Sequence, residues 1–215
     1  MTPHHHLPAD LLSAYAAGTV DDAEALFVAT HLSLCPACRA EAARSEEVGG
    51  ALFFASAPTP TDALDAVLAR LDEPPPAKRR PPAPTRPDDL PGPLRAVCGP
   101  LDQVVFRSVA PRISRFDLPQ SSPGRMVALV ALQPGAWVPE HHHEHTERTL
   151  VLTGGYTSDL GHFVRGDIEL RTADDAHPHQ QVIDPGETCV VLAVDDGAKL
   201  PVSLPGQLMG WLFDR

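Results

Sequence analysis

Proline sets the organisation of this chain. Residues 74–93 read PPPAKRRPPAPTRPDDLPGP. Proline at this density removes backbone donors and favours extended polyproline geometry, so no helix or sheet ladder continues through the run. The run is a linker, and it divides the 215 residues into two parts, 1–73 and 94–215. That length suits one or two domains. Charge divides with it: net −8 before the linker, +2 within it and −5 after it. An acidic module repels nucleic acid and favours a basic protein surface as its partner; the plainer reading is that acidity keeps the module soluble. No apolar run reaches transmembrane length, so no membrane contact is expected. The start, MTPHHH, has neither the basic nor the apolar region of a secretory signal. The expected location is cytoplasmic, where four reduced cysteines favour metal ligation over disulfides.

The part before the linker has helical spacing. Asp10 is a candidate cap for a helix through Leu11, Leu12 and Tyr15 that ends at Gly18. Asp21 or Asp22 starts a second helix, Ala23 to about Leu34. Pro36 suits the first turn of a third that runs to about Phe54. Thr61 or Asp62 caps a fourth, whose Leu64, Val67, Leu68 and Leu71 recur at helical intervals. Periodicity does not decide whether that apolar row packs on its own domain or on a partner.

His31, Cys35 and Cys38 form an H-x3-C-x2-C motif across the break expected at Pro36. Three soft or borderline ligands converge there within one or two turns, and a closed structural zinc site takes four. His4, His5 and His6 are the nearest candidates for the fourth. The competing reading is two buried cysteines and an incidental histidine, but a domain this small gains from a metal staple.

The part after the linker changes period. Val104–Val109, Met126–Leu132, Thr149–Thr153, Asp167–Arg171, Gln181–Asp184 and Cys189–Val194 read as short strands between turn residues, the pattern of a sandwich or barrel. Gly135 to Gly154 reads GAWVPEHHHEHTERTLVLTG, or G-x5-H-x-H-x3-E-x6-G. In a strand His141 and His143 share a face, and Glu147 returns to it after a short turn. Every defined position of the first cupin motif is present. The second motif is partial: Gly166 and His177 keep its spacing, while Thr172, Asp174 and Gln181 replace its proline, glycine and asparagine. Register favours His177 over His179, and His142 and His145 fall off the ligand face. Three imidazoles and a carboxylate suit zinc or another divalent transition metal. Cys98 and Cys189 lie outside both clusters and read as buried structural residues, with a redox role for Cys189 as the alternative.

With these motifs in sequence order, the chain resembles the ChrR family of anti-sigma factors over almost its whole length. The resemblance rests on His6 followed by DLLSAYAAG, then THLSLCPAC, the proline-rich linker and the cupin motif. It implies an all-α zinc-binding anti-sigma domain followed by an all-β cupin, a jelly-roll barrel. It implies zinc on His6, His31, Cys35 and Cys38, and a second metal on His141, His143, Glu147 and His177. The implied partner is one extracytoplasmic-function sigma factor, bound one to one in the cytoplasm with its polymerase surfaces hidden and without direct contact to nucleic acid. The implied role of the cupin is response to a photo-oxidative signal typified by singlet oxygen. Two other functions compete: a metal-dependent cupin enzyme of dioxygenase or isomerase type carrying a helical partner module, and a metal-storage protein.

Overall fold

The computed structural model describes residues 2–56, 63–71, 90–138, 141–143, 145–174, 180–197 and 199–201. Its first part is helical: α1 (Ala9–Ala16), α2 (Asp22–Leu34), α3 (Pro36–Ala55) and α4 (Ala63–Ala69). Asp21 caps α2 as expected, its carboxylate accepting the N–H groups of Ala23 and Glu24 at 3.0 Å each. Asp10 does not cap α1. Pro8 holds that place in extended geometry, and Asp10 falls inside the first turn. Proline's fixed φ starts the helix earlier than a side-chain cap would. Gly18 closes α1 at φ +68, donating to the Tyr15 carbonyl. Cys35 is the single extended residue between α2 and α3, and Pro36 opens α3 where its missing N–H costs nothing. The expected caps Thr61 and Asp62 lie outside the described residues.

Part of this helical surface is apolar and open. Val48, Leu52, Phe53 and Phe54 on α3 and Leu64, Val67 and Leu68 on α4 are each at least half exposed. The apolar row on α4 is therefore largely uncovered among the described residues.

The described chain resumes at Leu90, inside the segment read as linker, where Leu90 and Leu94 are buried at the start of α5 (Gly92–Cys98). Strands follow: β1 (Arg107–Ala110), β2 (Ile113–Asp117), β3 (Arg125–Leu132), β4 (His141–His143), β5 (Glu147–Thr153), β6 (Gly155–Ser158), β7 (Gly161–Val164), β8 (Ile168–Arg171), β9 (Val182–Ile183), β10 (Cys189–Asp196) and β11 (Lys199–Pro201). They form a six-stranded sheet β1-β2-β3-β10-β5-β8, a three-stranded sheet β7-β6-β9 and the pair β11-β4, antiparallel throughout.

The central strand β10 of the large sheet is buried on both faces and reads as a continuous apolar run. Val190, Leu192 and Val194 of β10 point outward with Val127, Leu129, Leu150 and Leu152, and share one core with Leu26 and Phe27 of α2 and with Leu94 of α5. Cys189 and Val191 point inward with Val151, Tyr156, Phe163 and Ile183. The helical part thus covers the barrel's outer wall. Ion pairs rim that contact: Arg125 with Asp21 at 2.5 Å and Arg148 with Glu24 at 2.6 Å, the two arginines joined through Asp196 at 2.8 and 3.0 Å.

Phe27 is fully buried in this shared core. Phe27→Ala should lower unfolding free energy by about 3–5 kcal/mol. Because the core spans both parts, helical circular dichroism and tryptophan emission should shift to the same lower urea midpoint. A shift confined to the helical signal would show that the barrel does not depend on α2.

Candidate metal centres

The first centre is built by three local features. The last turn of α2 presents His31 inward, the extended joint presents Cys35, and the first turn of α3 presents Cys38. The segment before α1 brings in His6. The four ligand atoms lie within 4.8 Å of one another. His6 Nδ1 stands 3.3 Å from Cys35 Sγ and 3.6 Å from Cys38 Sγ. Ligands of a tetrahedral zinc bonded at about 2.0–2.3 Å stand roughly 3.3–3.8 Å apart, so the site needs little adjustment to accept one. Of the three adjacent histidines, His6 is the one that reaches the cluster.

Burial makes this cluster costly without a cation. His31 is fully buried, and neither ring nitrogen makes a well-formed hydrogen bond, although the Gly166 main chain comes within range of the ring. An unsatisfied buried polar group costs about 1–3 kcal/mol. Burial pushes the His31 pKa down to about 4, although the Gly166 main chain works in the opposite direction. The imidazole is therefore neutral and able to ligate. Burial, with Cys35 alongside, pushes the Cys38 thiol up to about 11. A cation would draw off that proton and satisfy the imidazole together. Two sulfurs and two nitrogens in closed, mostly buried geometry fit zinc.

The second centre lies on the inner face of the barrel. His141 on β4 and Glu147 at the head of β5 are both nearly fully buried, with Nε2 and Oε2 3.9 Å apart. That exceeds a hydrogen bond and is a few tenths of an ångström wider than the roughly 3.3–3.6 Å between tetrahedral ligands bonded at about 2.0–2.2 Å, so a shared cation would draw the two together slightly. His143 is two residues along β4. Its side chain and all of His177 lie outside the described residues, as does His179. His145 is exposed. Beside Glu147 a cavity of about 50 Å³ is lined mainly by apolar side chains, with Arg115, Thr149, Tyr156 and Gln181 as its polar members.

A buried polar network behind that cavity went unread in the sequence. Glu169 accepts from Tyr156 Oη at 2.7 Å, Ser158 Oγ at 2.8 Å and Arg171 Nη2 at 2.7 Å. Burial, reinforced by Glu169, holds the Tyr156 phenol protonated well above its usual pKa. The available signal was alternation: if Ile168 faces outward, Glu169 and Arg171 cannot both do so. Cys189 is fully buried, and burial pushes its thiol up to about 12, the setting of a structural cysteine. Among the described residues no helix is long and apolar enough to cross a membrane.

Comparison with known proteins matches both parts. Residues 9–39 match the family model "Putative zinc-finger", and residues 95–196 match "ChrR Cupin-like domain". The chain is 39% identical over 204 residues to the Anti-sigma-E factor ChrR of Cereibacter sphaeroides, covering 91% of each. It is also similar to a chain in the crystal structure of Rhodobacter sphaeroides SigE in complex with the anti-sigma ChrR. That match has 36% identity and a TM-score of 0.75, and covers 91% of this chain and 100% of that one. Likeness at this identity across both parts of the molecule places the chain in the ChrR family of anti-sigma factors.

Proposed function

We propose that this chain binds and inhibits one extracytoplasmic-function sigma factor in the cytoplasm, and that its cupin barrel converts a photo-oxidative signal into release. The observation that carries the first half is the open apolar surface of α3 and α4, on a module of net charge −8. Contiguous exposed apolar residues mark a partner surface. Surrounding acidity favours a basic partner and speeds encounter. It also disfavours nucleic acid as a direct ligand. The SigE–ChrR complex supports the choice of a sigma factor as that partner.

Zinc on His6, His31, Cys35 and Cys38 supplies cross-linking: it ties the segment before α1 to the α2–α3 joint. Those residues fix the angle at which α3 leaves α2, and so the presentation of its apolar end. A second divalent metal on His141, His143, Glu147 and His177 would join β4, β5 and the chain after β8 on the inner wall. The barrel's outer wall carries α2, so a change at the inner wall has a packed route to the helices. An imidazole ligand is a plausible target of oxidation, and a carboxylate is not.

Three outcomes test this reading. Leu68→Asp on the exposed face of α4 should weaken sigma binding about tenfold or more, as a charge placed in a buried interface core does, with metal content unchanged by elemental analysis. Unchanged affinity would move the interface elsewhere. The parent chain should carry two metals, and Cys38→Ser should lose the zinc. Calorimetry of zinc binding to the metal-free chain near neutral pH, in buffers of different ionisation enthalpy, should show proton release, because the raised Cys38 thiol must ionise. Affinity should therefore rise with pH; binding without proton release would count against thiolate ligation. Last, His141→Ala, His143→Ala, Glu147→Ala and His177→Ala should keep inhibition of a sigma-dependent reporter yet alter its response to light with a photosensitiser. Parent-like responses from all four would remove the barrel from sensing.

A further inference from the structure

The helical metal centre is completed from the barrel side. The turn between β7 and β8 reaches the segment that delivers His6. Asp167 in this turn is fully buried. Its Oδ1 accepts the main-chain N–H of His4 at 2.5 Å and of His5 at 2.9 Å, and its Oδ2 accepts the N–H of Val164 at 2.9 Å. The His5 ring lies against Phe163 of β7, with centroids 4.3 Å apart. Burial alone would raise the Asp167 pKa; the three N–H donors and His5 outweigh it and keep the carboxylate ionised.

The neighbouring residue makes the same contact sterically. Gly166 has φ +92, and a Cβ there would stand 2.7 Å from Pro3 Cγ and 3.5 Å from Leu34 Cβ. Pro3 precedes the two clamped histidines, and Leu34 precedes Cys35. The main chain of Gly166 and the charge of Asp167 also act on buried His31. One barrel turn therefore bears on both histidines of a cluster that belongs, in sequence, to the other part of the chain.

We propose that Asp167 is a positioning residue for the helical metal centre: it fixes the main chain of His4 and His5 and so holds His6 within reach of His31, Cys35 and Cys38. The inference rests on metal ligation by those four residues. His6 is the exposed ligand, on a segment before α1 with no secondary structure of its own. Without the clamp that segment loses its main-chain anchor on the barrel turn, and the metal keeps three ligands while His6 detaches and returns. Groups that orient metal ligands from outside the coordination shell typically change metal affinity by about 10–100-fold when removed.

The test uses the full-length chain loaded with cobalt(II) and challenged with EDTA. Thiolate-to-cobalt charge-transfer absorption reports the Cys35 and Cys38 site, because the barrel set has no sulfur. Asp167→Ala should lose that absorption about tenfold or more faster than the parent chain. His4→Pro removes one of the clamped donors without touching the barrel, and should also accelerate loss. The double variant should be no faster than the faster single variant, since both changes break one interaction. A purely structural role of Asp167 in its own turn would leave the His4→Pro effect intact in the Asp167→Ala background, and that outcome overturns the proposal. So does a parent-like rate in folded Asp167→Ala. If Asp167→Ala does not fold, His4→Pro decides alone: faster loss supports the clamp and the parent rate overturns it. Absence of thiolate–cobalt absorption from the parent chain would overturn the ligand set itself, and the clamp with it.

Discussion

Strand β10 has water on neither side, and the rest of the molecule is arranged around that fact. Its outward residues Val190, Leu192 and Val194 need a cover, and α2 with α5 provides it; its inward residues Cys189 and Val191 line the barrel. A sheet buried on both faces carries no polar alternation on its central strand. Removing α2 would expose Leu192 and Leu129, both fully buried, and leave an apolar wall facing solvent. The proline-rich run at 74–93 therefore tethers two parts that are packed together, and the polar rim of Arg125, Arg148 and Asp196 fixes how they meet.

Burial also accounts for the chemistry of the helical centre. A fully buried neutral histidine and a cysteine whose thiol burial pushes up to about 11 are poor neighbours in a small core. Each is costly alone, and one cation would accept a lone pair from both. The barrel centre follows the same logic less completely, since of its four expected ligands only His141 and Glu147 have described side chains. Around them the wall keeps its charges in closed sets: Glu169 takes bonds from Tyr156, Ser158 and Arg171, and Arg171 also meets Asp159. Buried polar groups are tolerated when every member is satisfied.

Much of this was legible in the sequence where one signal dominates. Asp21 before α2, Pro36 opening α3 and the strand at Cys189 were readable because a cap, a missing N–H and an apolar run each have one structural meaning. The H-x3-C-x2-C motif was readable for the same reason, and its residues converge with His6. What stayed hidden depends on two elements meeting. Asp10 looks like a cap until Pro8 takes its place. Strand β2 was unread because Ser114 and Arg115 resemble loop residues; only the assembled sheet shows Arg115 facing inward and nearly fully buried. Strands β6 and β7 are only four residues each and both open on glycine, and pairing rather than propensity makes them strands. Leu90 read as linker because its neighbours are proline and aspartate, yet it is buried in the shared core.

The arrangement on α2 joins the helical part and the barrel into one folded unit. Asp21, Glu24, Phe27 and His31 recur at intervals of three, three and four residues, the repeat of one helix face. Successively they meet Arg125, meet Arg148, enter the core shared with the sheet, and join the metal cluster. That stripe mixes charge, ring and ligand, so hydropathy alone does not reveal it. A displacement of β3, β5 or β10 shifts the partners of Asp21, Glu24 and Phe27 together, and a helix transmits such a shift along its axis because its hydrogen bonds make it stiff. The far end of α2 is His31, and Cys35 follows at the joint from which α3 departs. The apolar surface lies on the second half of α3 and on α4, away from the barrel contact. A rotation at the joint would therefore be amplified along the length of α3, whose 20 residues span about 30 Å at the helical rise. A metal at that joint would set the stiffness of the hinge, since its candidate ligands come from both sides of the bend and from the segment before α1 that the barrel holds.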